Sequence, residues 1–398
     1  MTMRFDRHEL AGSLGDLGTL LPLAFGLIVI NGVDSTATFI GIGLFYVLAG
    51  LYFGVTVPVQ PMKVISAYAI ASAMSASEIT ASGLWMGALL LVLAVTGTVT
   101  LVGKIVPQAT VRGVQLSTGV LLFIHGIKFI LGQSSLQQAR QSAEPFLSVS
   151  TIGPVPVGIV LGIAAVIVIL LLLENRVAPA ALVVVVGGVV AGLALGGWRN
   201  LTGFHVGLHA PELLPFGLPS TSTLVLALTA LAIPQIPMTM GNAVLAQADL
   251  TREYFGDEGC KRCTPRALAI SMGLANVVVC MFGGMPLCHG AGGLAAHYRF
   301  GARTAGSNLM IGGLFLTVGV LVGDQAVAVF SLLPLAVLGA LLCFAGAQLA
   351  MMILDVKERK DLFVVVTMLA VSLVTHLGVG FGVGVALAYW FKVTKSSV

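Results

Sequence analysis

Lys63 closes the segment Pro58-Val-Gln-Pro-Met-Lys63, which sets a cation, the carboxamide of Gln60 and two prolines inside an otherwise membrane-apolar run. A charge at that depth is expensive to bury and marks a functional position by default. Pro58 and Pro61 stop any helix from crossing this point, so a helix from Met62 to about Ser77 is expected to begin here with inward-pointing N–H groups that lack partners. A helix N-terminus of that kind binds anions. A second break, Met285-Pro-Leu-Cys-His-Gly-Ala-Gly-Gly, offers His289 as a donor and the turn Gly290, Ala291, Gly292 at the start of another short helix.

Two polar stripes accompany the breaks. Ser13, Asp16 and Thr19 recur on one face of the first apolar run, and Gln235, Thr239 and Asn242 on one face of the eighth. Pro22, Pro234 and Pro237 loosen the same helices. A cavity between the stripes, capped by the two broken helices, would hold neutral donors, two positive helix ends and one fixed cation, a combination that suits an anion. Each feature also has a plainer reading. Polar side chains and glycines on membrane helices also serve packing, and a lysine can snorkel to an interface. Asp16 is the one carboxylate inside an apolar span, and either pairs with Lys63 or carries a coupled proton. His125 and His376 read as satisfied by neighbours, and Cys260-Lys-Arg-Cys263 has half the spacing of a zinc site without a second ligand pair.

The elements that must position these residues follow from composition. With 57% hydrophobic and 9% charged residues, the 398-residue chain is a polytopic membrane protein. Five cysteines are too scattered for a disulfide framework, a net charge of +4 does not suggest nucleic acid, and no cleavable leader or nucleotide-binding motif is evident. Apolar runs fall at 11–31, 35–54, 61–77, 79–102, 113–131, 153–173 and 177–196, then at 221–247, 267–285, 288–300, 306–322, 325–350, 361–376 and 378–393. The expected fold class is therefore all-α, with fourteen transmembrane segments in a seven-plus-seven inverted repeat, 1–200 and 221–398, joined by an outer connection at 201–220. The third and tenth segments are the broken ones.

Basic residues orient this arrangement. With a cytoplasmic N-terminus, Arg4, Arg7, Lys104, Arg112, Arg176, Arg252, Lys261, Arg262, Arg266, Arg299, Arg303, Lys357, Arg359, Lys360, Lys392 and Lys395 all fall at inner ends. Lys128, Arg140 and Arg199 lie outside. Both termini are then expected in the cytoplasm, at the cell (inner) membrane.

Three motifs, Gly15-Asp-Leu-Gly-Thr-Leu-Leu-Pro22, Pro58-Val-Gln-Pro-Met-Lys63 and the stretch from Phe282 to Arg303, resemble the molybdate transporter type 1 (MOT1) family of the sulfate permease superfamily. The resemblance covers nearly the whole chain. It implies a core domain of spans 1 to 4 and 8 to 11 moving against a gate domain, with substrate between the third and tenth spans. It also implies a homodimer and, as in relatives of the molybdate type, no STAS regulatory domain after Val398. The function expected is secondary-active transport of a tetrahedral oxoanion, molybdate first and sulfate second, with a co-transported proton and no cofactor or metal. A membrane-embedded enzyme built on Cys288, His289 and Asp16, and a channel, are the readings from other classes.

Overall fold

The computed structural model describes residues 3–99, 101, 105–173, 175 and 179–394, and the side chains of all of these except 258–260. Lys104, Arg176, Lys395 and the Cys260 side chain, named above, lie outside the described residues. Most of the described residues are helical, with the longest irregular stretches around 140–156 and 202–220. Six described helices are long and apolar enough to cross a membrane, or up to eight when each of two bent pairs counts as one span.

The first span is one of the bent pairs. Helix α1 (Arg7–Ser13) and helix α2 (Leu17–Val29) meet at 44°, where the sequence reading expected one run over 11–31. The interruption falls at Gly15-Asp16, so the Asp16 side chain projects from a break. Helix α3 (Ser35–Phe53) returns across the molecule and ends on Gly54 in the left-handed conformation. An extended stretch then leads into strand β1 (Gln60–Pro61) and helix α4 (Lys63–Ala71). That helix is shorter than the 61–77 run suggested. It stops at Ser72, and Ser75 with Glu78 forms a capping box that starts helix α5 (Ala76–Thr96) afresh.

Further along lie α6 (Gln108–Ile130), α7 (Val157–Leu172) and α8 (Ala180–Ala194). The next helical run, α9, spans Thr221–Asp257 and contains π-helical segments at Ala227–Ala232 and Thr239–Ala246. These wide turns flank Pro234 and Pro237, whose missing N–H groups and rings prevent regular α-helical bonding there. After α10 (Pro265–Met281), strand β2 (Leu287–Cys288) leads into α11 (Ala291–Phe300), followed by α12 (Ala305–Leu321). The remaining long helices are α13 (Leu335–Ala350), α14 (Arg359–Val374) and α15 (Leu377–Thr394). The run expected from 325 to 350 is divided. A short helix, Ala326–Phe330, ends before Pro334, and α13 begins at Leu335 with its first N–H groups taken by Glu144.

Two packing groups emerge. In one, α3 lies along α12 and α5 along α10, while in the other α6 lies along α13 and α14 pairs with α15. Glycines let the α6–α13 axes approach. A Cβ on Gly119 would sit 2.5 Å from the Gly346 carbonyl oxygen, and one on Gly126 2.5 Å from that of Gly339.

Strands β1 and β2 pair antiparallel in the interior, Gln60 opposite Cys288 and Pro61 opposite Leu287. Two asparagines hold the irregular backbone on either side. Asn308 Nδ2 donates to Val57 O (2.7 Å) while its Oδ1 accepts from Val57 N (3.0 Å). Asn276 does the same for Leu287, with Nδ2 to the carbonyl at 2.7 Å and Oδ1 from the N–H at 2.9 Å. Non-helical backbone at membrane depth requires such internal partners, because no water is present to supply them.

Candidate substrate site

A cavity of about 370 Å³ opens where α1–α2, β1–α4, α9 and α11 converge, and its lining includes Asp16, Thr19, Gln60, Lys63, Asn242 and Gly292. Met238 on α9 and Phe344 and Gln348 on α13 close other sides. Of the residues singled out from sequence, the structure therefore gathers Asp16, Thr19, Gln60, Lys63 and Gly292 around one space.

Gln60 and Asp16 form its floor. Gln60 Nε2 lies 2.7 Å from both Oδ1 and Oδ2 of Asp16, and both residues are almost fully buried. Asp16 and Lys63 share the cavity wall but make no ion pair within 4 Å among the described contacts, so the carboxylate is held by the carboxamide instead of the ammonium. Gln60 Oε1 is buried without a hydrogen-bond partner. Lys63, at the first position of α4, is half-buried and faces the cavity.

The N-terminus of α4 differs from expectation. Gln235 Oε1 accepts from Val64 N (2.9 Å) and Ile65 N (3.2 Å), so a side chain from α9 satisfies donors that the sequence reading left without partners. Its Nε2 donates to Thr239 Oγ1 at 2.9 Å. Gln235 thus caps the half-helix from behind and does not line the cavity.

The counterpart helix α11 presents its N-terminus more openly. The space where a Gly292 Cβ would stand has nothing within 4 Å. Gly290 and Gly293 are the reverse case: a Cβ on Gly290 would come 2.5 Å from Gln60 Oε1, and one on Gly293 2.6 Å from Asp16 Oδ2 and Gln60 Nε2. Only glycine lets this backbone lie against the Gln60–Asp16 pair. Gly290 and Ala291 therefore shape the turn, while Gly292 borders the space.

His289 is placed behind the site. Its Nδ1–H donates to Pro58 O (2.9 Å), its Nε2 lies 2.9 Å from Ser271 Oγ, and it is fully buried and absent from the cavity lining. The sequence suggested a donor to substrate; the geometry makes His289 a tie between the extended segment before β1 and α10. Cys288 Sγ turns to Pro61 O at 3.5 Å, so Cys288, His289 and Asp16 have separate partners and form no common cluster. The two clamping asparagines, Asn276 and Asn308, were not anticipated as site-builders. Their signal is a carboxamide inside an apolar helical run.

This cavity between two broken helices, within a helical polytopic membrane fold, defines a membrane transporter. Residues 8–122 and 227–349, more than half of the chain, match the MFS_MOT1 family, "Molybdate transporter of MFS superfamily". The protein belongs to this molybdate transporter family. It is 33% identical to "Molybdate transporter 2" of Arabidopsis thaliana, over 96% of this chain and 87% of that protein. It is 30% identical to "Molybdate transporter 1" of Chlamydomonas reinhardtii, over 94% and 89%. Among solved structures, the fold is shared with the transmembrane domain of the cyanobacterial bicarbonate transporter BicA (TM-score 0.64, 19% identity, 96% and 98% covered). It is also shared with the murine anion transporter Slc26a9 in the inward-facing state (TM-score 0.67, 14% identity, 100% and 70% covered).

Proposed function

We propose that the protein accumulates a tetrahedral oxoanion, molybdate, by proton-coupled secondary transport with alternating access. The observation that carries this reading is the single cavity where the Lys63 ammonium, the open α11 N-terminus at Gly292 and the neutral side chains of Thr19 and Asn242 converge. A fixed cation and a helix N-terminus favour an anion, and neutral donors replace its hydration shell. Molybdate is placed before sulfate because the relatives that match nearly the full chain are named as molybdate transporters.

The architecture we assign is fourteen spans in two inverted repeats, 1–200 and 221–398. The group containing α3, α5, α10 and α12 acts as the moving core, and the group containing α6, α13, α14 and α15 as the gate. Both termini face the cytoplasm, in a cell membrane, and the protein works as a homodimer. Cavity residues Asn175, Arg299 and Met352 then stand at inner ends, so this conformation faces inward. Asp16 is the proton carrier. A dianion entering a negative-inside cell moves against about 2.3 kcal/mol per charge per 100 mV, so accumulation requires compensating cations.

Labelled molybdate uptake into vesicles, with and without an inward proton gradient and with sulfate as competitor, tests the reading. Saturable uptake that the gradient drives above equilibrium, and that excess sulfate weakly inhibits, is expected. Uptake indifferent to the gradient removes proton coupling, and stronger inhibition by sulfate than by unlabelled molybdate reverses the choice of substrate. Lys63→Ala is expected to weaken the apparent affinity at least about tenfold, a loss of roughly 1.4 kcal/mol. Asp16→Asn is expected to retain exchange but lose gradient-driven accumulation.

A further inference from the structure

A second cavity, of about 550 Å³, lies away from the substrate site in a cleft between α3 and α10. Its walls are almost wholly apolar and include Leu44, Leu48 and Tyr52 from one helix and Ile270, Leu274 and Val278 from the other. Several of these side chains face outward, Leu48 being 61% and Leu274 53% exposed. From Ala267 to Phe282 the cleft runs about 22 Å at the α-helical rise, more than one leaflet's share of a hydrocarbon core about 30 Å thick.

The ends of the cleft carry opposite charge. At one end, Arg262 Nη1 donates to Tyr52 O (3.2 Å), and Arg266 stands in the first turn of α10 beside the lining residue Ala267. Both arginines are exposed. At the other end, Pro211 lines the cleft next to Glu212, and Asp34 caps α3 just before the lining residue Ala37. An occupant with an apolar tail and an anionic head fits this polarity in one direction only.

We infer that this cleft is a binding site for an anionic phospholipid, with one acyl chain between α3 and α10 and the phosphate beside Arg262 and Arg266. The floor of the cleft connects to the substrate site. Phe45 and Phe53, both lining residues, pack on the His289 ring at centroid distances of 4.6 and 5.8 Å, and the lining residue Ser271 holds His289 Nε2. An acyl chain here therefore supports, from the bilayer side, the tie that His289 makes between the segment before β1 and α10.

Tryptophan quenching by brominated lipid tests the assignment on the full-length protein. Trp85, Trp198 and Trp390 are replaced by Phe, and single reporters are introduced as Leu274→Trp or Val278→Trp in the cleft and Leu314→Trp on the exposed face of α12. In vesicles mixing phosphatidylglycerol and phosphatidylcholine, with one or the other brominated, the cleft reporters are expected to favour the anionic lipid. Each arginine near an anionic headgroup contributes about 1 kcal/mol, so the preference should be about fivefold or more. Leu314→Trp should show none, and Arg262→Gln with Arg266→Gln should bring the cleft reporters down to its ratio. Equal ratios at cleft and control positions, or a preference that survives loss of both arginines, overturn the proposal. Absence of quenching by either lipid at both cleft reporters overturns it too, since a second copy of the chain then covers the face.

Discussion

Gln60 offers a single nitrogen to both oxygens of Asp16, at 2.7 Å each, and the Gly293 backbone lies against the pair. The carboxylate at the α1–α2 break, strand β1 and the half-helix α11 are thereby joined in one contact. Any change of charge on Asp16 is felt at once by the residue that also borders the cavity.

Glycine substitutions on α11 should separate steric from chemical requirements. Gly293→Ala places a methyl group 2.6 Å from Asp16 Oδ2 and Gln60 Nε2 and should abolish transport, whereas Gly292→Ala enters open space and should leave a folded protein with reduced affinity. Uptake by both variants, alongside their yield in membranes, checks this. Normal transport by Gly293→Ala would show that the close approach is dispensable.

Gln235 allows a cap to be distinguished from a ligand. Gln235→Leu strands the N–H groups of Val64 and Ile65, at about 1–3 kcal/mol for each buried donor, and should lower the thermal midpoint in detergent together with transport. Gln235→Glu keeps an acceptor for both groups but adds negative charge near the anion. It should recover stability while leaving transport impaired. Equal thermal midpoints for the Leu and Glu variants would remove the capping role.

Glu144 supplies a pH signature outside the spans. Burial pushes its carboxyl up from 4.5 to about 7, despite two hydrogen bonds from Leu335 N and Ala336 N that oppose the shift. With the folded value above the unfolded one, its contribution to stability is complete below about 4.5 and is lost as pH rises through about 7. A shift of this size corresponds to about 3 kcal/mol. Thermal midpoints in detergent should therefore fall between pH 4.5 and 7 more steeply for the unaltered protein than for Glu144→Gln. Parallel curves would contradict the assignment.

Orientation can be read chemically. Single cysteines between Gln133 and Val149 should react with an impermeant maleimide applied to intact cells, while cysteines in the Arg252 to Arg266 segment should react only after permeabilisation. The inverse pattern would turn the molecule over and move the cavity mouth to the outside.

Much of this was legible in the chain. Prolines 58 and 61 announce a break because proline cannot donate to a helix, and the second break at Pro286 is visible for the same reason. Thr19 was reached through helix periodicity and Gln60 and Lys63 through the proline break, and the structure places all three on one cavity. What stayed hidden depends on contacts between distant segments. Gln235 and Lys63 look equivalent as polar intrusions, yet one caps α4 and the other faces the cavity, a difference set by how α9 docks. His289 is consumed by Pro58 and Ser271, partners remote in sequence. The bend at Gly15-Asp16 carries no proline, and its local signal, Gly12-Ser13 and Gly15, also fits an unbroken packing helix.

The pairing of β1 with β2 also sets an order of assembly. Pro61 and Cys288, which meet there, are 227 residues apart in the chain, so the first strand must wait in the membrane while most of the protein is made. During that interval its backbone groups have no sheet partner, and unsatisfied groups in hydrocarbon are costly. The β1 segment is accordingly clamped through Val57 by Asn308, which arrives later still. A chain truncated before α11 would hold the Gln60–Asp16 floor but not the half-helix whose Gly292 borders the cavity, so the site is completed only when that later segment docks.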